Sequence, residues 1–548
     1  MDTATQVVKV LEERQVKYVF GIPGEENIHL IDEINRSKKI KFILVRHEQG
    51  ASFMADVYGR LTGKPGIAAA TLGPGAINLL LGVADAQTNS TPLIAITAQG
   101  GLNRIYKESH QVIDLKTMFK PVTKWSDTIY SAQATPEIVN KAFNQAIDGN
   151  GRPGATYIGI PEDVEVQDVG KQLKERITPK VASLPRKEDI YRAAQLIRKA
   201  KHPIGLVGMG VIRENASTKV NSLIKQIHLP SATTFMGKGA IDDHNEFSLG
   251  VVGFMEHDYE NFAFDQADLI LSVGYELSEF DPEKINPQAT KKIIHINTFS
   301  EDTDQHYPVD VNIVADITAS IDSLKKELGD HKVASAKPQI KEAIQKELDT
   351  GKDEGKAPLL PQQVVTATRE AVDKQGIVLV DTGALKMWMA RLYQAYNPNS
   401  ILIDNGLSTM SWTLPGSIGA KLAEPKKNIL AVMGDGAFMM NSQELETAVR
   451  YHIPITVLIW VDKSYGLIKW KMDMEMNHHS EVNFNNPNFL KYTESFGAHA
   501  HLVNSRNDLV NSLRNALGNK GVNVIVCPVD YRENMKLIKK LGQVTFSL

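Results

Sequence analysis

Short apolar runs alternate with helical patterns from one end of the chain to the other, and this alternation restricts the possible folds more than any other feature. The runs interpreted as strands lie at 18–20, 42–45, 67–71, 93–97, 157–160, 204–207, 269–273, 293–296, 377–380, 429–433, 455–460 and 522–526. Continuous apolar strands separated by helices are typical of parallel sheets that carry helices on both faces. The sequence therefore predicts an α/β fold.

Two polar stretches interrupt the alternation and indicate domain boundaries. Residues 168–189 are charged and contain proline, and residues 328–361 are rich in Lys, Glu, Asp and Gly. Both compositions are typical of linkers, although residues 340–344 of the second also have the apolar spacing of a helix. Because 548 residues are too many for one core, we predict three α/β domains. The predicted domains are 1–167, 187–328 and 358–548.

The composition excludes several classes of function. The 61 basic residues against 64 acidic residues give a net charge of −3, which favours neither nucleic acid nor an anionic membrane as a partner. The single cysteine, Cys527, excludes an intramolecular disulfide and a cysteine-based metal cluster, and it fits a reducing compartment.

Neither of two apolar segments is expected to enter a membrane. The first 20 residues have the pattern of an amphipathic helix and lack the apolar block of a signal peptide. Residues 66–84 carry no charge, but the Gly73-Pro74-Gly75 sequence would break a membrane-spanning helix. We interpret this segment as a buried strand, a tight loop and the start of a helix, and we expect a soluble, cytoplasmic protein.

Two aspartates follow neighbouring predicted strands of the third domain. Asp435 is the centre of a Gly-Asp-Gly sequence, and Asp462 follows the next apolar run. Both carboxylates are therefore expected at one edge of a parallel sheet, where Mg²⁺ could share them with the phosphates of a ligand. A helix predicted to begin within residues 441–444 would favour the same anion. The alternative is an ordinary turn at Asp435 with Asp462 as a helix cap.

Three loops of the first domain also follow predicted strands, and the second of them contains Glu48. This carboxylate lies between a strand and a helix rich in small residues, so partial desolvation would raise its pKa and suit it to carry a proton. The alternative is that Glu48 caps the helix or pairs with Arg46.

Taken together, Glu48, the Gly73-Pro74-Gly75 loop and the pair of Asp435 and Asp462 resemble the thiamine-diphosphate enzyme superfamily over nearly the whole chain. Segments that resemble acetolactate synthases in particular lie at 46–55, 58–63, 444–449 and 489–498. The resemblance implies a thiamine-diphosphate-binding fold in the first and third domains and a Rossmann-like middle domain.

The resemblance implies a reaction and an assembly. Thiamine diphosphate and Mg²⁺ would be the cofactors, and Glu48 would hydrogen-bond N1′ of the aminopyrimidine and exchange a proton with it. Decarboxylation of pyruvate and transfer of the two-carbon unit to a second 2-keto acid would give 2-acetolactate if that acid is also pyruvate. Each active site would combine the first domain of one subunit with the third domain of its partner, in a homodimer or homotetramer.

The resemblance also assigns residues to the site. Met410 would hold the cofactor rings in a bent shape, although a Met can equally be ordinary core. The carbonyl of Ser408 would accept a hydrogen bond from the 4′-amino group, and Mg²⁺ would bind Asp435, Asp462 and the carbonyl of Ser464. Further cofactor contacts are implied at Pro74, Asn78, Gly383, Ala384, Lys386, Gly434, Gly436, Ala437, Tyr465, Gly466 and Leu467. Acceptor-pocket positions are implied at Gln111, Phe119 and Lys471.

Three positions depart from the family pattern. Leu385 stands where the family usually has a His that contacts the diphosphate, and Lys386 would replace that contact only if its side chain turns inward. Glu26 and Lys471 stand where the catabolic branch usually has Lys and Gln. These two could form an ion pair across the acceptor pocket, or both could face solvent.

The middle domain favours an enzyme without FAD. Gly208-Met209-Gly210 is only half of a dinucleotide fingerprint, and residues 274–282 resemble the flavin-free catabolic branch. We therefore predict a catabolic-type acetolactate synthase. The alternatives are another thiamine-diphosphate decarboxylase, oxidase or carboligase, or a homologue that binds the cofactor without turnover. An NAD-dependent dehydrogenase is disfavoured because no complete G-x-G-x-x-G sequence follows a strand.

Overall fold

The structure is a computed structural model that describes residues 1–148, 151–171, 182–254, 257–333 and 338–541. Within these residues, three six-stranded parallel sheets follow one another along the chain, and helices flank each sheet. The central strands are fully buried because helices cover both faces, as expected for parallel sheets. The predicted α/β fold class is confirmed.

The first sheet is built from residues of the N-terminal third of the chain. Its strands are β1 (Tyr18–Gly21), β2 (Lys41–Leu44), β3 (Gly66–Ala70), β4 (Leu93–Gln99), β5 (Trp125–Thr128) and β6 (Ala155–Pro161), in the order β2-β1-β3-β4-β6-β5. Its helices are α1 (Thr3–Glu13), α2 (Ile28–Arg36), α3 (Glu48–Thr62), α4 (Pro74–Thr88), α5 (Leu115–Phe119), α6 (Thr135–Asp148) and α7 (Glu162–Glu165).

The second sheet occupies the middle of the chain. Its strands are β7 (Pro203–Val207), β8 (Ser231–Thr233), β9 (Ser248–Val251), β10 (Leu269–Val273), β11 (Lys292–Asn297) and β12 (Val309–Val314), in the order β12-β11-β10-β7-β8-β9. Its helices are α8 (Lys187–Lys199), α9 (Gly210–Arg213), α10 (Ser217–Ile227), α11 (Tyr259–Gln266) and α12 (Ile317–Leu328).

The third sheet contains the strands that precede Asp435 and Asp462. The helices from 338 onward are α13 (Pro338–Thr350), α14 (Pro361–Ala371), α15 (Ala384–Leu392), α16 (Thr413–Ala423), α17 (Asp435–Asn441), α18 (Glu444–Arg450), α19 (Gly466–Met476), α20 (Phe489–Ser495), α21 (Arg506–Gly518) and α22 (Glu533–Leu541). The strands are β13 (Ile377–Val380), β14 (Ile401–Ile403), β15 (Ile429–Gly434), β16 (Thr456–Val461), β17 (His499–Leu502) and β18 (Asn523–Pro528), in the order β14-β13-β15-β16-β18-β17.

The chain forms two compact units. One contains the first sheet together with residues 406–426 and 441–453, and the other contains the second and third sheets. In the first unit, α16 packs closely along α3, because a Cβ on Gly419 would overlap the carbonyl oxygen of Met54. Two helices from the predicted third domain, α16 and α18, therefore belong to the core of the first unit. The predicted domain boundaries stay predictions.

Several local predictions can be compared with the described residues. The helix predicted to begin within 441–444 is confirmed by α18, which begins at Glu444. Helix α17, which begins at Asp435 directly after β15, was not predicted. The helical spacing at 340–344 is confirmed by α13. Parts of both predicted linkers, 172–181 and 334–337, lie outside the described residues.

The uncharged segment 66–84 forms β3, a loop and the start of α4, as predicted. Pro74 occupies the first turn of α4, where its missing N–H leaves no hydrogen bond unmade. Among the described helices, none is long and apolar enough to cross a membrane.

Candidate active site

Glu48 lies at the start of α3, where the strand β2 turns into that helix. Its side chain is buried, with 9% of its surface exposed, and its Oε2 accepts a hydrogen bond of 3.0 Å from Asn78 Nδ2. His47 is the helix cap, because its Nδ1 accepts from the backbone N–H of Gln49. A Cβ on Gly75 would lie 3.2 Å from Glu48 Oε1, so this glycine keeps space open beside the carboxylate. The burial agrees with the predicted desolvation of Glu48.

The Gly73-Pro74-Gly75 loop lies against Gln111. Gly73 has φ +56°, and a Cβ on it would lie 2.8 Å from the carbonyl oxygen of Gln111. Gln111 is exposed and itself has φ +58°, a left-handed conformation that is costly for a residue with a side chain. Its assignment to the acceptor pocket stays a prediction.

Phe119 lies in the core of the first unit. Its ring has no exposed surface and stacks on the ring of Tyr157, with 4.1 Å between the ring centroids. Burial of this kind favours a core role, because a ring with no exposed surface is not available to an acceptor substrate. The contact of Phe119 with the acceptor stays a prediction.

The loop that carries Ser408 and Met410 has a strained backbone. Ser408 has φ +57° and Ser411 has φ +73°, and the Oγ of Ser411 accepts a 2.6 Å hydrogen bond from Asn441 Nδ2. Left-handed residues other than glycine cluster at functional sites, where the surroundings hold them in place. Met410 is half-buried, which distinguishes it from the fully buried side chains of the core.

In the second unit, Asp435 and Asp462 follow the neighbouring strands β15 and β16, which pair in parallel with Gly434 opposite Trp460. The carboxylate of Asp435 accepts hydrogen bonds from the backbone N–H of Lys463 at 2.8 Å and from Asn486 Nδ2 at 2.7 Å. Both aspartates therefore lie at one edge of the sheet, as predicted. Asp462 is not a helix cap, because the residue before α19 is Tyr465.

The two aspartates form an electrostatically unfavourable pair. Burial and, secondly, the neighbouring carboxylate of Asp435 together raise the pKa of Asp462 to about 7. Burial also raises the pKa of Asp435. A cation would stabilise two neighbouring carboxylates that are removed from water in this way. Among the described residues no group of three or more His, Cys, Asp and Glu could hold a metal, so a cation here would need further oxygen ligands from the backbone or from a bound phosphate.

A glycine-lined space lies beside the aspartates. Gly383 precedes α15 and offers no side-chain cap, and its strand β13 pairs with β15. Within 4 Å, a Cβ on Gly383 would meet only a methyl group of Leu385, at 3.8 Å, and a Cβ on Gly434 would meet the same methyl at 3.5 Å. A helix start lined by glycines suits a phosphate, because the first N–H groups of a helix point towards such an anion. The residues present therefore fit a diphosphate next to a divalent cation.

Family models match the chain in three consecutive segments. The N-terminal TPP binding domain of thiamine pyrophosphate enzymes matches residues 1–118, the central domain matches residues 190–324, and the C-terminal TPP binding domain matches residues 381–527. Glu48 and Asn78 fall in the first match, and the glycine-lined space with both aspartates falls in the last. The chain belongs to the thiamine pyrophosphate enzymes.

Among these enzymes the chain is of the acetolactate synthase type. The acetolactate synthase of Bacillus subtilis (strain 168) is 34% identical, over 99% of this chain and 96% of its own length. The catabolic acetolactate synthase of Raoultella terrigena is 33% identical, over 98% and 97%. The large subunit of acetolactate synthase isozyme 1 of Escherichia coli (strain K12) is 30% identical, over 96% and 94%. The resemblance stated from the sequence is confirmed.

Several predicted cofactor contacts of this thiamine pyrophosphate enzyme gather around the aspartates. A Cβ on Gly466, the first residue of α19, would lie 2.9 Å from Asp462 Oδ2. The ring of Tyr465 lies beside Gly436, because a Cβ added to Gly436 would be 3.1 Å from Tyr465 Cε1. Ser464 is buried and its hydroxyl donates to the carbonyl of Val482. Ala384, Ala437 and Leu467 lie in the first turns of α15, α17 and α19.

The side chain of Lys386 points towards the end of β14 and not towards the glycine-lined space. Its ammonium group is buried and donates to the carbonyl of Asp404 at 3.3 Å and to Asn405 Oδ1 at 3.0 Å, both just after β14. Strand β14 lies on the opposite side of β13 from β15. This position favours a structural role, and contact between Lys386 and the diphosphate stays a prediction.

Glu26 and Lys471 each have a partner within their own unit. Glu26 is buried and accepts a 2.8 Å hydrogen bond from the hydroxyl of Thr71, which contradicts the alternative in which it faces solvent. Lys471 is exposed and lies 3.6 Å from Glu475 on the same helix. The ion pair between Glu26 and Lys471 stays a prediction.

Two polar residues near the site were not identified from the sequence as functional. Asn486 donates to Asp435 from a loop far along the chain, and no periodic pattern marks it. Glu444 accepts from the backbone at Arg46 and His47, next to Glu48. The segment 444–449 was recognised as typical of acetolactate synthases, but no role followed from that recognition.

Proposed function

We propose that this thiamine pyrophosphate enzyme is a catabolic-type acetolactate synthase, which decarboxylates pyruvate and joins the two-carbon unit to a second molecule of pyruvate. The observation that carries the proposal is full-length similarity to acetolactate synthases, combined with a buried Glu48 in the segment that matches the N-terminal TPP binding domain. Bound thiamine diphosphate supplies the electron sink for the carbon that loses CO₂.

The chain contributes proton transfer and orientation. Glu48 holds and moves a proton at N1′ of the aminopyrimidine, and the burial of its carboxylate favours that exchange. Asn78 keeps one carboxylate oxygen fixed by its 3.0 Å hydrogen bond, which leaves Oε1 on the side of Gly75. Removal of the Glu48 carboxylate should therefore lower turnover at least about 100-fold.

Mg²⁺ is proposed at the two aspartates. Asp435, Asp462 and the carbonyl of Ser464 would bind the ion, and Gly383 and Gly434 would leave room for the diphosphate. Support comes from the raised pKa values of both carboxylates, since a cation would relieve the repulsion between them. Asn486 would keep the carboxylate of Asp435 in position from outside the metal site.

A homodimer is proposed as the active form, with a homotetramer as a further possibility. In support, Glu48 belongs to one compact unit and both aspartates to the other. Helix α4, which carries Asn78, exposes Ile77 and Leu81, with 46% and 40% of their surfaces accessible. Exposed apolar side chains on a functional helix are typical of a surface that a partner covers.

We propose that the middle domain does not bind FAD. The carboxylate of Glu279 is buried at the loop after β7, where it accepts from the backbone N–H of Met209 at 3.0 Å and from the hydroxyl of Thr234 at 2.6 Å. In a dinucleotide-binding domain this loop holds the pyrophosphate. A Cβ on Gly208 would lie 2.5 Å from Glu279 Oε1, so this carboxylate takes up the space that an anionic ligand would need.

The test of the function is a product analysis. The purified protein is incubated with pyruvate, thiamine diphosphate and Mg²⁺, with and without FAD, and the products are separated. We expect CO₂ and 2-acetolactate in a ratio of about one to one, with no effect of FAD. Acetaldehyde or acetyl phosphate as the main product would contradict the proposal and favour a decarboxylase or an oxidase.

The acceptor 2-keto acid depends on residues such as Lys471, whose role is a prediction, and a competition assay with 2-ketobutyrate would identify the preferred acceptor. The cytoplasmic location and the lack of nucleic-acid or membrane partners also stay predictions.

A further inference from the structure

Glu444 is a fully buried carboxylate that faces the turn carrying Glu48. Its Oε1 accepts hydrogen bonds from the backbone N–H of His47 at 3.0 Å and of Arg46 at 3.1 Å. Its Oε2 accepts a 2.7 Å hydrogen bond from the hydroxyl of Thr447. The carboxylate thus binds the chain at the two residues immediately before Glu48.

The turn and the carboxylate fit closely. A Cβ on Gly50 would lie 2.7 Å from Glu444 Oε1, so a larger residue at position 50 would displace the carboxylate or the helix. The N–H groups before α3 are among those that a helix leaves without partners inside itself. Because the site is buried, water is not available to replace Glu444 as the acceptor.

We propose that Glu444 is a positioning residue for proton transfer, which fixes the turn before α3 and thereby the direction of the Glu48 side chain. The inference rests on the proposed function, in which Glu48 moves a proton at N1′. Asn78 holds one oxygen of Glu48 from the side of α4, and Glu444 holds the backbone of the two preceding residues, Arg46 and His47, from the side of α18. Proton transfer requires hydrogen-bond distance, so a small displacement of this turn reduces its rate.

The decisive variant is Glu444→Gln, which keeps the shape of the side chain but removes its negative charge, so that the hydrogen bonds from Arg46 and His47 are no longer strengthened by charge. The measured quantities are the rate of exchange of the cofactor C2 proton for deuterium and the dissociation constant of thiamine diphosphate in the presence of Mg²⁺. We expect C2 exchange to slow at least about tenfold, while the dissociation constant changes less than about threefold. If Glu444 only stabilised the fold, Glu444→Gln would weaken the binding of thiamine diphosphate and lower the melting temperature. The exchange of the C2 proton in the cofactor-bound fraction would not slow.

Glu446→Gln is the matched control. Glu446 lies on the same helix, is partly exposed and pairs with Arg450, so its loss should leave C2 exchange at the wild-type rate. Gly50→Ala should reproduce the slow exchange of Glu444→Gln, because the added methyl group displaces the carboxylate. If Glu444→Gln does not fold, Thr447→Val takes its place; it removes only the hydroxyl bond to Glu444, and slower exchange than in the control is expected.

A double variant separates this inference from the proposed function. If Glu444 acts through Glu48, then Glu48→Gln combined with Glu444→Gln exchanges no more slowly than Glu48→Gln alone. Wild-type exchange in Glu48→Gln would overturn the proton-transfer role of Glu48 itself. A different result would overturn only the inference about Glu444. In that case Glu48→Gln exchanges slowly, whereas Glu444→Gln and Gly50→Ala exchange at the wild-type rate. Where Thr447→Val replaces Glu444→Gln, wild-type exchange in Thr447→Val counts in the same way.

Discussion

The residues of the site differ in the surroundings of their side chains. The carboxylate of Glu48 is buried and accepts a hydrogen bond from the amide of Asn78. Asp435 is buried and Asp462 is half-buried beside it, and the repulsion between the two carboxylates suits a divalent cation. Leu385 is uncharged. One of its methyl groups borders the space proposed for the diphosphate and can donate no hydrogen bond to it.

Leu385→His should strengthen binding of the cofactor. A donor at this position would add one hydrogen bond to a charged group, which is about 1.5–3 kcal/mol, or roughly tenfold or more in the dissociation constant of thiamine diphosphate. The measurement is a titration of the metal-free protein with thiamine diphosphate and Mg²⁺. Leu385→Met is the control, since it changes shape without adding a donor. Equal affinity in both variants would contradict the assignment of this space to the diphosphate.

Glu165 should make the stability of the protein depend on pH. Burial raises its pKa to about 8, whereas in the unfolded chain the same group ionises near its ordinary pKa of 4.5. The folded state therefore keeps a proton that the unfolded state has released. The contribution of Glu165 to the free energy of unfolding is fully present below pH 4.5. It declines by up to about 1.4 kcal/mol per pH unit as the pH rises towards 8.

Glu165→Gln tests this dependence, because the amide is neutral at every pH. The melting temperature of the wild-type protein should fall between pH 6 and pH 8 more than that of Glu165→Gln. Glu162→Gln on the same helix is the control, since Glu162 is partly exposed. Parallel curves for the wild-type protein and Glu165→Gln would show that Glu165 is ionised in the folded state.

At the scale of elements, the packing of α16 on α3 connects the third predicted domain with the helix that begins at Glu48. Gly419 allows this contact, because a Cβ there would overlap the carbonyl oxygen of Met54. Trp412 strengthens the same region through a 2.7 Å hydrogen bond from its Nε1 to Asp56. The position of α3 therefore depends on residues more than 350 positions along the chain from Asp56.

Gly419→Ala should displace α3 and lower both stability and turnover. Overpacking of this kind costs about 1–3 kcal/mol, so we expect a clear fall in the melting temperature. Gly518→Ala is the matched control: it lies at the end of α21, and an added Cβ there has nothing within 4 Å. Equal melting temperatures for the two variants would contradict the close contact of α16 and α3.

The sequence predicts the central strands of each sheet much better than the outer ones. The six strands not named from apolar runs are β5, β8, β9, β12, β14 and β17, of which all but β8 lie at a sheet edge. Of these edge strands, β5, β12 and β17 have exposed or half-buried positions and lack a continuous apolar run. Strand β17, for example, has three exposed residues out of four. Strand β14 is apolar and buried but has only three residues.

Site residues are predictable from the sequence where a charged side chain directly follows a strand, as at Glu48, Asp435 and Asp462. Contacts between distant segments were not predictable in this way. Asn486 binds Asp435 from an irregular loop, and Glu444 binds the turn before Glu48 across nearly 400 positions. No local pattern encodes such pairs, because they depend on the packing of whole helices.

At the scale of the whole molecule, the central claim is that each active site takes Glu48 from one subunit and the two aspartates from another. The claim explains why these groups belong to different compact units and why α4 exposes apolar side chains beside Asn78. Under this claim a separated monomer has no complete site, so specific activity should fall as the protein is diluted below the dissociation constant of the dimer.

A complementation experiment tests the claim most directly. Glu48→Gln and Asp435→Asn are each purified, shown to be inactive, mixed, and allowed to exchange subunits through mild dissociation. If the sites are shared, each mixed dimer regains one intact site, and random assembly should restore about a quarter of the wild-type activity. If Glu48 and Asp435 act within one chain, no mixed dimer contains an intact site. Activity that stays at the level of the separate variants, despite demonstrated subunit exchange, would contradict the account.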